Sequence, residues 1–451
     1  MLFSRSMVVL ALSLALILIG INSQSGWLFW LAGLLLSSLV VSWVLSLHQV
    51  RNLSLARRNQ PEISEEEPLE VTLEVRNRGR SSRHLLEVID DDPCGDESRK
   101  RPRLKPARKT LREYLEDPSP PDSPSPERDG GRAAFLIPRL DAGGKASLTY
   151  QRRGLRRGIY RNWPGFFYSE GIIGLARHTS RTRVESRLVV FPYNVELSSF
   201  PLVDSFLHPQ RAPHDLSSRG AGMDYYGVRE FRAGDPLRHV HWKTTARRGE
   251  LVVREFEREV GTPFTVLIDN RPDNGGGANG SASLDSAARL AASVARYALA
   301  AGHPVSLAAS SGENAVLHNV PYFQAALEWL AALRPDGRVG PEEQVERLRG
   351  ALEPGSFLCC IFPAARLDPR RLAAALPPMC RVALVLVDQP SHNGEASSRR
   401  PGPPPQEIVS DLIRAPFAGL ISISLYRKGD DLRECLEKPS IIFGGSRPRT
   451  R

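Results

Sequence analysis

The sequence predicts a multi-domain chain: an N-terminal two-helix transmembrane hairpin, an all-β sandwich-like domain and a C-terminal α/β domain. Three observations predict it. Two long apolar runs fill the first fifty residues, a period-two pattern punctuated by Gly and Pro follows, and strand-like runs alternate with helical ones towards the C-terminus. A chain of 451 residues exceeds one ordinary core. Sixty Lys and Arg against 50 Asp and Glu give a net charge of +10, too dilute for a nucleic-acid-binding tail and suited to a face near anionic lipid. Hydrophobic residues at 41% exclude wholesale disorder, and a mean hydropathy of −0.26 excludes a polytopic membrane protein. The five cysteines (Cys94, Cys359, Cys360, Cys380, Cys435) contain no Cys-x-x-Cys, so neither a disulfide framework nor a zinc ribbon is written, and a reducing compartment fits.

The hairpin is expected within residues 1–48. Its spans are about 6–22, from SMVVLALSLALILIGI, and 27–47, WLFWLAGLLLSSLVVSWVLSL. A span needs about 20 residues at roughly 1.5 Å each. A cleaved signal peptide is the alternative for the first run, but a second full span follows at once and no small-x-small cleavage site precedes it. Arg5 lies before the pair, Arg51, Arg57 and Arg58 lie after it, and the turn at 22–26 is uncharged. The positive-inside rule then places both termini and the soluble domains in the cytoplasm, with residues 6–47 in the lipid bilayer.

Residues 49–195 read as the sandwich. In Glu70–Asn77, Val71, Leu73 and Val75 alternate with Thr72, Glu74 and Arg76, and short strands are predicted at 84–89, 134–137, 146–151 and 187–191. Arg152-Arg-Gly-Leu-Arg-Arg-Gly158 reads as a hairpin with a solvated basic edge rather than an RNA-binding patch. A disordered insertion is expected at about 96–131: residues 99–112 hold eight Lys or Arg and no acid, and residues 113–129 are rich in acid, Pro and Ser. Residues 261–440 read as the α/β domain, with strands at 263–268, 305–309, 356–362, 382–387 and 421–425, and helices at 284–301 and 323–333. Gln389–Pro405 reads as a long surface loop, and residues 441–451 as a basic tail.

Residues 196–260 are expected to be a linker carrying a dense charged segment, Asp224 to Glu259. Asp235 followed by Pro236 predicts a helix N-cap, with a helix to about Ala246 stopped by Gly249. On that helix Arg238 and Trp242 are four apart, so the guanidinium is placed over an indole packed with Leu237 and Val240. Leu251–Val260 is strand-like. Arg229, Glu230, Phe231, Gly234, Asp235, Arg238, Val240, Trp242, Lys243, Ala246 and Arg247 together resemble the signature Arg-Glu-Tyr-x-x-Gly-Asp-x-x-Arg-x-Ile-x-Trp-Lys-x-x-Ala-Arg of the bacterial family called domain of unknown function 58. Phe231 and Val240 replace its Tyr and Ile. The resemblance implies a von Willebrand factor A-like α/β domain, a bacterial inner (plasma) membrane location, and a MoxR-type AAA+ ATPase as partner of a membrane-bound adaptor.

Four chemistries compete with structural readings. His239 and His241 share a face as a strand, where they would suit a metal, but lie about 200° apart on the predicted helix. The charged signature lacks a Ser, Cys or His nucleophile and reads as a charge network against the α/β domain rather than an active site. Von Willebrand factor A-like domains often hold Mg²⁺ with Asp-x-Ser-x-Ser after the first strand. Here Asp269 has Arg271 and Asp273 at the serine positions, and Cys359–Pro363 supplies no later Asp. Either Arg271 pairs with Asp269 or Asp273, or it points to solvent while Asp269, Asp273 and water hold a weak ion. Gly275–Gly280 lacks the Gly-Lys-Ser/Thr ending of a phosphate loop.

The expectation is therefore a non-enzymatic protein-interaction adaptor with no catalytic residue, cofactor or metal. A membrane-bound, hydrolase-like enzyme using the charged signature is one rival reading. The other is a membrane-attached nucleic-acid binder using residues 99–112, although no nucleic-acid partner is expected.

Overall fold

The computed structural model describes residues 5–93, 132–204, 218–231, 240–258, 261–272, 282–310, 316–364, 367–377, 380–388 and 420–444. They divide into two compact units, 1–191 and 192–451. The expected insertion at 96–131, the loop 389–405, Gly275–Gly280 and the tail beyond Gly444 lie outside the described residues.

In the first unit, α1 (Arg5–Ser23) and α2 (Gly26–Val50) form a hairpin. Both are long and apolar enough to cross a membrane. Most of their large side chains are exposed, Leu14, Leu18, Ile21, Trp30 and Leu34 among them, as in no core helix of a water-soluble fold. The second helix runs three residues past the predicted Leu47. Its last turn is held by the β domain, where Gln49 Oε1 accepts the His84 N–H at 2.9 Å and Val50 joins the sandwich core.

Ten strands follow: β1 (Leu53–Asn59), β2 (Glu62–Ser64), β3 (Leu69–Asn77), β4 (Arg83–Asp90), β5 (Ala133–Leu140), β6 (Lys145–Arg152), β7 (Gly158–Arg161), β8 (Pro164–Ser169), β9 (His178–Arg183) and β10 (Arg187–Phe191). They form sheets ordered β1-β3-β6, β5-β4-β8-β9 and β2-β10-β7 around one core. The alternation read in β3 holds: Leu69, Val71, Leu73 and Val75 are buried, each contributing about 1.5–3 kcal/mol on removal from water. β4 and β5 pair directly, Asp90 opposite Ala133, so the strands flanking the insertion are neighbours in one sheet.

Two arginines of the run 152–158 do not form a solvated edge. Arg152 and Arg157 are buried; Arg152 donates to the Asp91 carbonyl at 3.2 Å and to Asp92 Oδ1 at 3.3 Å, while the Arg157 N–H meets Glu65 Oε1 at 3.1 Å. Asp92, sixty residues away in sequence, pairs with the Arg152 side chain, which no local pattern reveals.

In the second unit, the chain after Phe191 is not a linker at first. Leu197, Phe200 and Val203 enter the α/β core, the last on the short α3 (Pro201–Asp204). Irregular spacing hides these anchors from a periodicity reading. β11 (Ser218–Glu230) and β12 (Val252–Arg258) form an antiparallel ribbon with α4 (Trp242–Arg248) between them in sequence. The remaining elements are β13 (Phe264–Ile268), α5 (Ala282–Ala300), β14 (Val305–Ala309), β15 (Val316–Leu317), α6 (Phe323–Ala332), α7 (Pro341–Leu348), β16 (Phe357–Pro363), α8 (Pro369–Ala375), β17 (Arg381–Val387), β18 (Leu420–Tyr426), α9 (Leu432–Glu437) and β19 (Ile441–Gly444).

The sheet order is β15-β14-β13-β16-β17-β18-β19, parallel except for its two edge strands. Residues 441–444, read as tail, are thus an edge strand against β18. Two cores cover the two faces. Phe264, Val266 and Ile268 pack with α5, α6 and α9, whereas Leu267, Leu358, Cys360 and Phe362 pack with Val345 of α7 and Leu372 of α8. That two-sided burial is why these strands are apolar along their whole length.

Candidate functional site

Strand order reverses around β13. The helix after β13 covers one face and those flanking β16 cover the other, which leaves a crevice at the carboxyl ends of β13 and β16, the usual ligand position in an open parallel sheet. Asp269 and Asn270 leave β13 at this point, both buried. Arg271 turns back onto Asp269. Its backbone N–H and Nε each lie 3.0 Å from Asp269 Oδ1, and Nη2 lies 2.8 Å from Oδ2. The Asp269 side chain is 0% exposed and that of Arg271 23%. Burial alone would lower the Arg271 pKa, but bonding to Asp269 and the nearby Glu342 carboxylate outweigh it and hold the guanidinium above its ordinary range. Of the two alternatives for this position, the structure has the Arg271–Asp269 pair. Asp273 lies outside the described residues.

Asn270 ties the crevice together, a role the sequence reading missed. Its Oδ1 accepts the Ser310 N–H at 3.0 Å and the Ser310 hydroxyl, and its Nδ2 donates to the Arg334 carbonyl and to Asp336 Oδ1, both at 3.0 Å. Gly337 closes over it. A Cβ there would collide with Ser310 Oγ, Asn270 Oδ1 and the Arg271 nitrogen. No spacing rule links residues 270, 310 and 336; the only local signal is the Asp336-Gly337 turn dipeptide. Among the described residues no group of three His, Cys, Asp or Glu side chains is placed to hold a metal ion.

The signature segment folds differently from its predicted helix. Gly234, Asp235, Arg238 and His239 lie outside the described residues. Val240 makes an antiparallel bridge to Val253, and the helix starts only at Trp242. The N-cap is His241, whose Nδ1 accepts the Thr244 N–H at 3.2 Å and bonds the Thr244 hydroxyl at 2.8 Å. Gly249, at φ 74°, closes the C-terminus as predicted. Two halves of the signature flank the same pair of residues. Arg229 and Glu230 of β11 pair with Val253 and Val252, the Phe231 N–H reaches the Leu251 carbonyl at 2.9 Å, and the His241 N–H reaches the Val252 carbonyl at 2.8 Å. Val240, Val252 and Val253 are buried. Competition from this bridge explains the late helix start, because residue 240 is used as strand.

Trp242, expected to be packed, is 65% exposed. Lys243, Ala246 and Arg247 are exposed too, and neither Lys243 nor Arg247 forms an ion pair among the described residues. This part of the signature therefore presents an aromatic ring and two cations to the outside.

A search of curated proteins finds no match. Among solved structures, similarity is recorded to the CARDB domain of a Pyrococcus furiosus protein (10% identity, covering 29% of this chain and 86% of that one, TM-score 0.15). It extends to BslA, a bacterial hydrophobin (13% identity, 31% and 96%, TM-score 0.18), and to the GH20 exo-β-N-acetylglucosaminidase of Vibrio harveyi (8% identity, 84% and 82%, TM-score 0.21). At such scores these likenesses carry no argument. Residues 227–354, from the end of β11 to just beyond α7, match the family described as protein of unknown function DUF58, and that stretch is the part of the chain whose family resemblance is established.

Proposed function

We propose that this chain is a membrane-anchored adaptor for protein assembly, facing the cytoplasm of a bacterium and working with a MoxR-type AAA+ ATPase. The observation that carries the reading is the exposed Trp242 beside Lys243 and Arg247, inside the stretch that matches the family. Trp and Arg are the residues most enriched where a few contacts dominate binding between proteins, and exposed cations suit an acidic partner surface. The parallel sheet with antiparallel edge strands supports a von Willebrand factor A-like reading of the second unit. In this chain the Asp269 carboxylate, which would serve an ion there, is neutralised by Arg271. Two apolar helices with arginines on their outer flanks support the anchor and the orientation.

Site-specific photo-crosslinking tests the reading. A photoreactive residue replacing Trp242 in the full chain, irradiated in native membranes, is expected to give an adduct containing a MoxR-type AAA+ ATPase. An adduct with that ATPase from a crosslinker elsewhere on the chain, and none from position 242, would remove this surface from the account. No adduct from any exposed position would remove the partner.

A further inference from the structure

The segment between β8 and β9, residues 170–177 (EGIIGLAR), is gripped along the last turns of α2. Ser42 Oγ accepts the backbone N–H groups of Leu175 at 3.2 Å and Ala176 at 3.0 Å. Ser46 Oγ bonds His178 Nδ1 at 2.9 Å, and the His178 ring meets Trp43 edge-on at 5.7 Å. Gly171 (φ 65°) permits the approach, since a Cβ there would lie 3.3 Å from the Ser46 nitrogen. On the other side Glu170 lies 4.0 Å from Arg5 at the start of α1 and 2.8 Å from Arg177.

Between these fixed points the loop exposes Ile172 (65%) and Ile173 (42%), the exposed large hydrophobics of this unit, outside α1 and α2, among the described residues. Ser42 lies inside the apolar run ending at Leu47, about 7 Å along the helix from its end at 1.5 Å per residue. The loop is therefore fastened at a depth where α2 itself is apolar. Leu10, Leu39, Val40 and Trp43 line a groove that Ala176 and Arg177 close, so the C-terminal half of the loop lies against the apolar face of the two helices. Two exposed isoleucines on a loop fastened to an apolar span, with Arg177 beside them, have the chemistry of a lipid interface rather than of a solvated turn.

We propose that residues 170–177 form a third membrane element, seating Ile172 and Ile173 among the lipid acyl chains of the leaflet at the α2 C-terminus. The inference rests on the membrane reading of α1 and α2, and the test separates the two. Cys94→Ser removes a cysteine outside the described residues, while Cys359, Cys360 and Cys380 are buried and burial pushes the Cys435 thiol up to about 12, so added cysteines label selectively. Full-length chains carrying Ile172→Cys, Leu34→Cys or Arg139→Cys are labelled with a small fluorophore in phosphatidylcholine–phosphatidylglycerol vesicles, with unsubstituted chain as background. Quenching is read with aqueous iodide and with lipids bearing a nitroxide near the headgroup end of the acyl chain. Lipid quenching at 172 at least about twofold above that at 139, with iodide protection relative to 139, is expected. Lipid quenching at 34 with free iodide access at 172 overturns the loop proposal alone. Iodide access at 34 overturns the membrane reading and the loop proposal with it.

Discussion

Arg271 lays its guanidinium across both carboxylate oxygens of Asp269, two residues away, at the carboxyl edge of β13. A side chain from the same turn thus neutralises a fully buried carboxylate at the position where the proposed von Willebrand factor A-like reading would put a divalent ion. A guanidinium cannot ligate Mg²⁺, and its charge repels one.

Arg271→Ala should leave Asp269 buried without its cation and cost about 3 kcal/mol, the low end for breaking a buried pair because Arg271 keeps some contact with water. Calorimetric titration of the full chain with Mg²⁺ or Mn²⁺ should show no saturable heat. Micromolar binding abolished by Asp269→Ala would mean that the ion displaces the arginine.

Trp242 and Val253 make opposite predictions. Trp242→Ala should change the unfolding free energy, read by chemical denaturation, by no more than about 0.5 kcal/mol, as surface changes do, while weakening partner capture. Val253→Ala, in the buried bridge with Val240, should cost about 2–3 kcal/mol. A large stability loss from Trp242→Ala would return the indole to a packing role.

The sandwich core holds a second ion pair, with Arg57 and Asp90 side chains both 0% exposed. Arg57 also donates to the Trp163 carbonyl at 3.1 Å and lies 4.1 Å above the Trp163 ring, and the Tyr150 hydroxyl reaches Asp90 Oδ2 at 2.5 Å. Burial, then the Asp90 charge, push the Tyr150 hydroxyl far above its ordinary pKa. Arg57→Met should cost about 3–5 kcal/mol by stranding Asp90, and Arg57→Met with Asp90→Leu should recover most of it. Chemical denaturation of the single and double variants checks the pair.

His303 contributes a pH dependence to the stability of the second unit. Its ring lies 5.5 Å from that of Phe357, and burial lowers its pKa even though Nδ1–H donates to the Thr262 carbonyl at 3.1 Å. The folded state thus resists protonation while the unfolded chain takes up a proton near 6.5. Stability from this group is complete above about pH 6.5 and falls as pH drops towards the lowered folded value, by at most about 1.4 kcal/mol per pH unit. Thermal melts between pH 7.5 and 5.5 should show that loss, and His303→Phe should reduce the slope.

The parts of the fold legible in the sequence are those with a period. Leu69–Asn77, the apolar strands 264–268 and 381–387, and the helix 282–300 each repeat at the spacing their neighbours require. Features set by distant partners were not legible. Strand β9, HTSRTR, has no apolar face to announce it, Leu197 and Phe200 are anchors without periodicity, and Asn270 matters only because the sheet brings Ser310 and Asp336 to it. At the candidate site the Asp269–Arg271 pairing was accessible because both residues lie in one turn. The exposure of Trp242 was not, since it follows from a bridge between residues 240 and 253 that displaces the helix start.

The most direct test of the proposed adaptor account is capture of a MoxR-type AAA+ ATPase by the full chain in vesicles, measured with and without EDTA and with Trp242→Ala alongside. The account predicts capture unchanged by the chelator, because Arg271 supplies the charge at Asp269, and at least tenfold weaker with Trp242→Ala, roughly 1.4 kcal/mol or more. Capture that needs a divalent ion, or that is equal for the wild-type and Trp242→Ala chains, would contradict it.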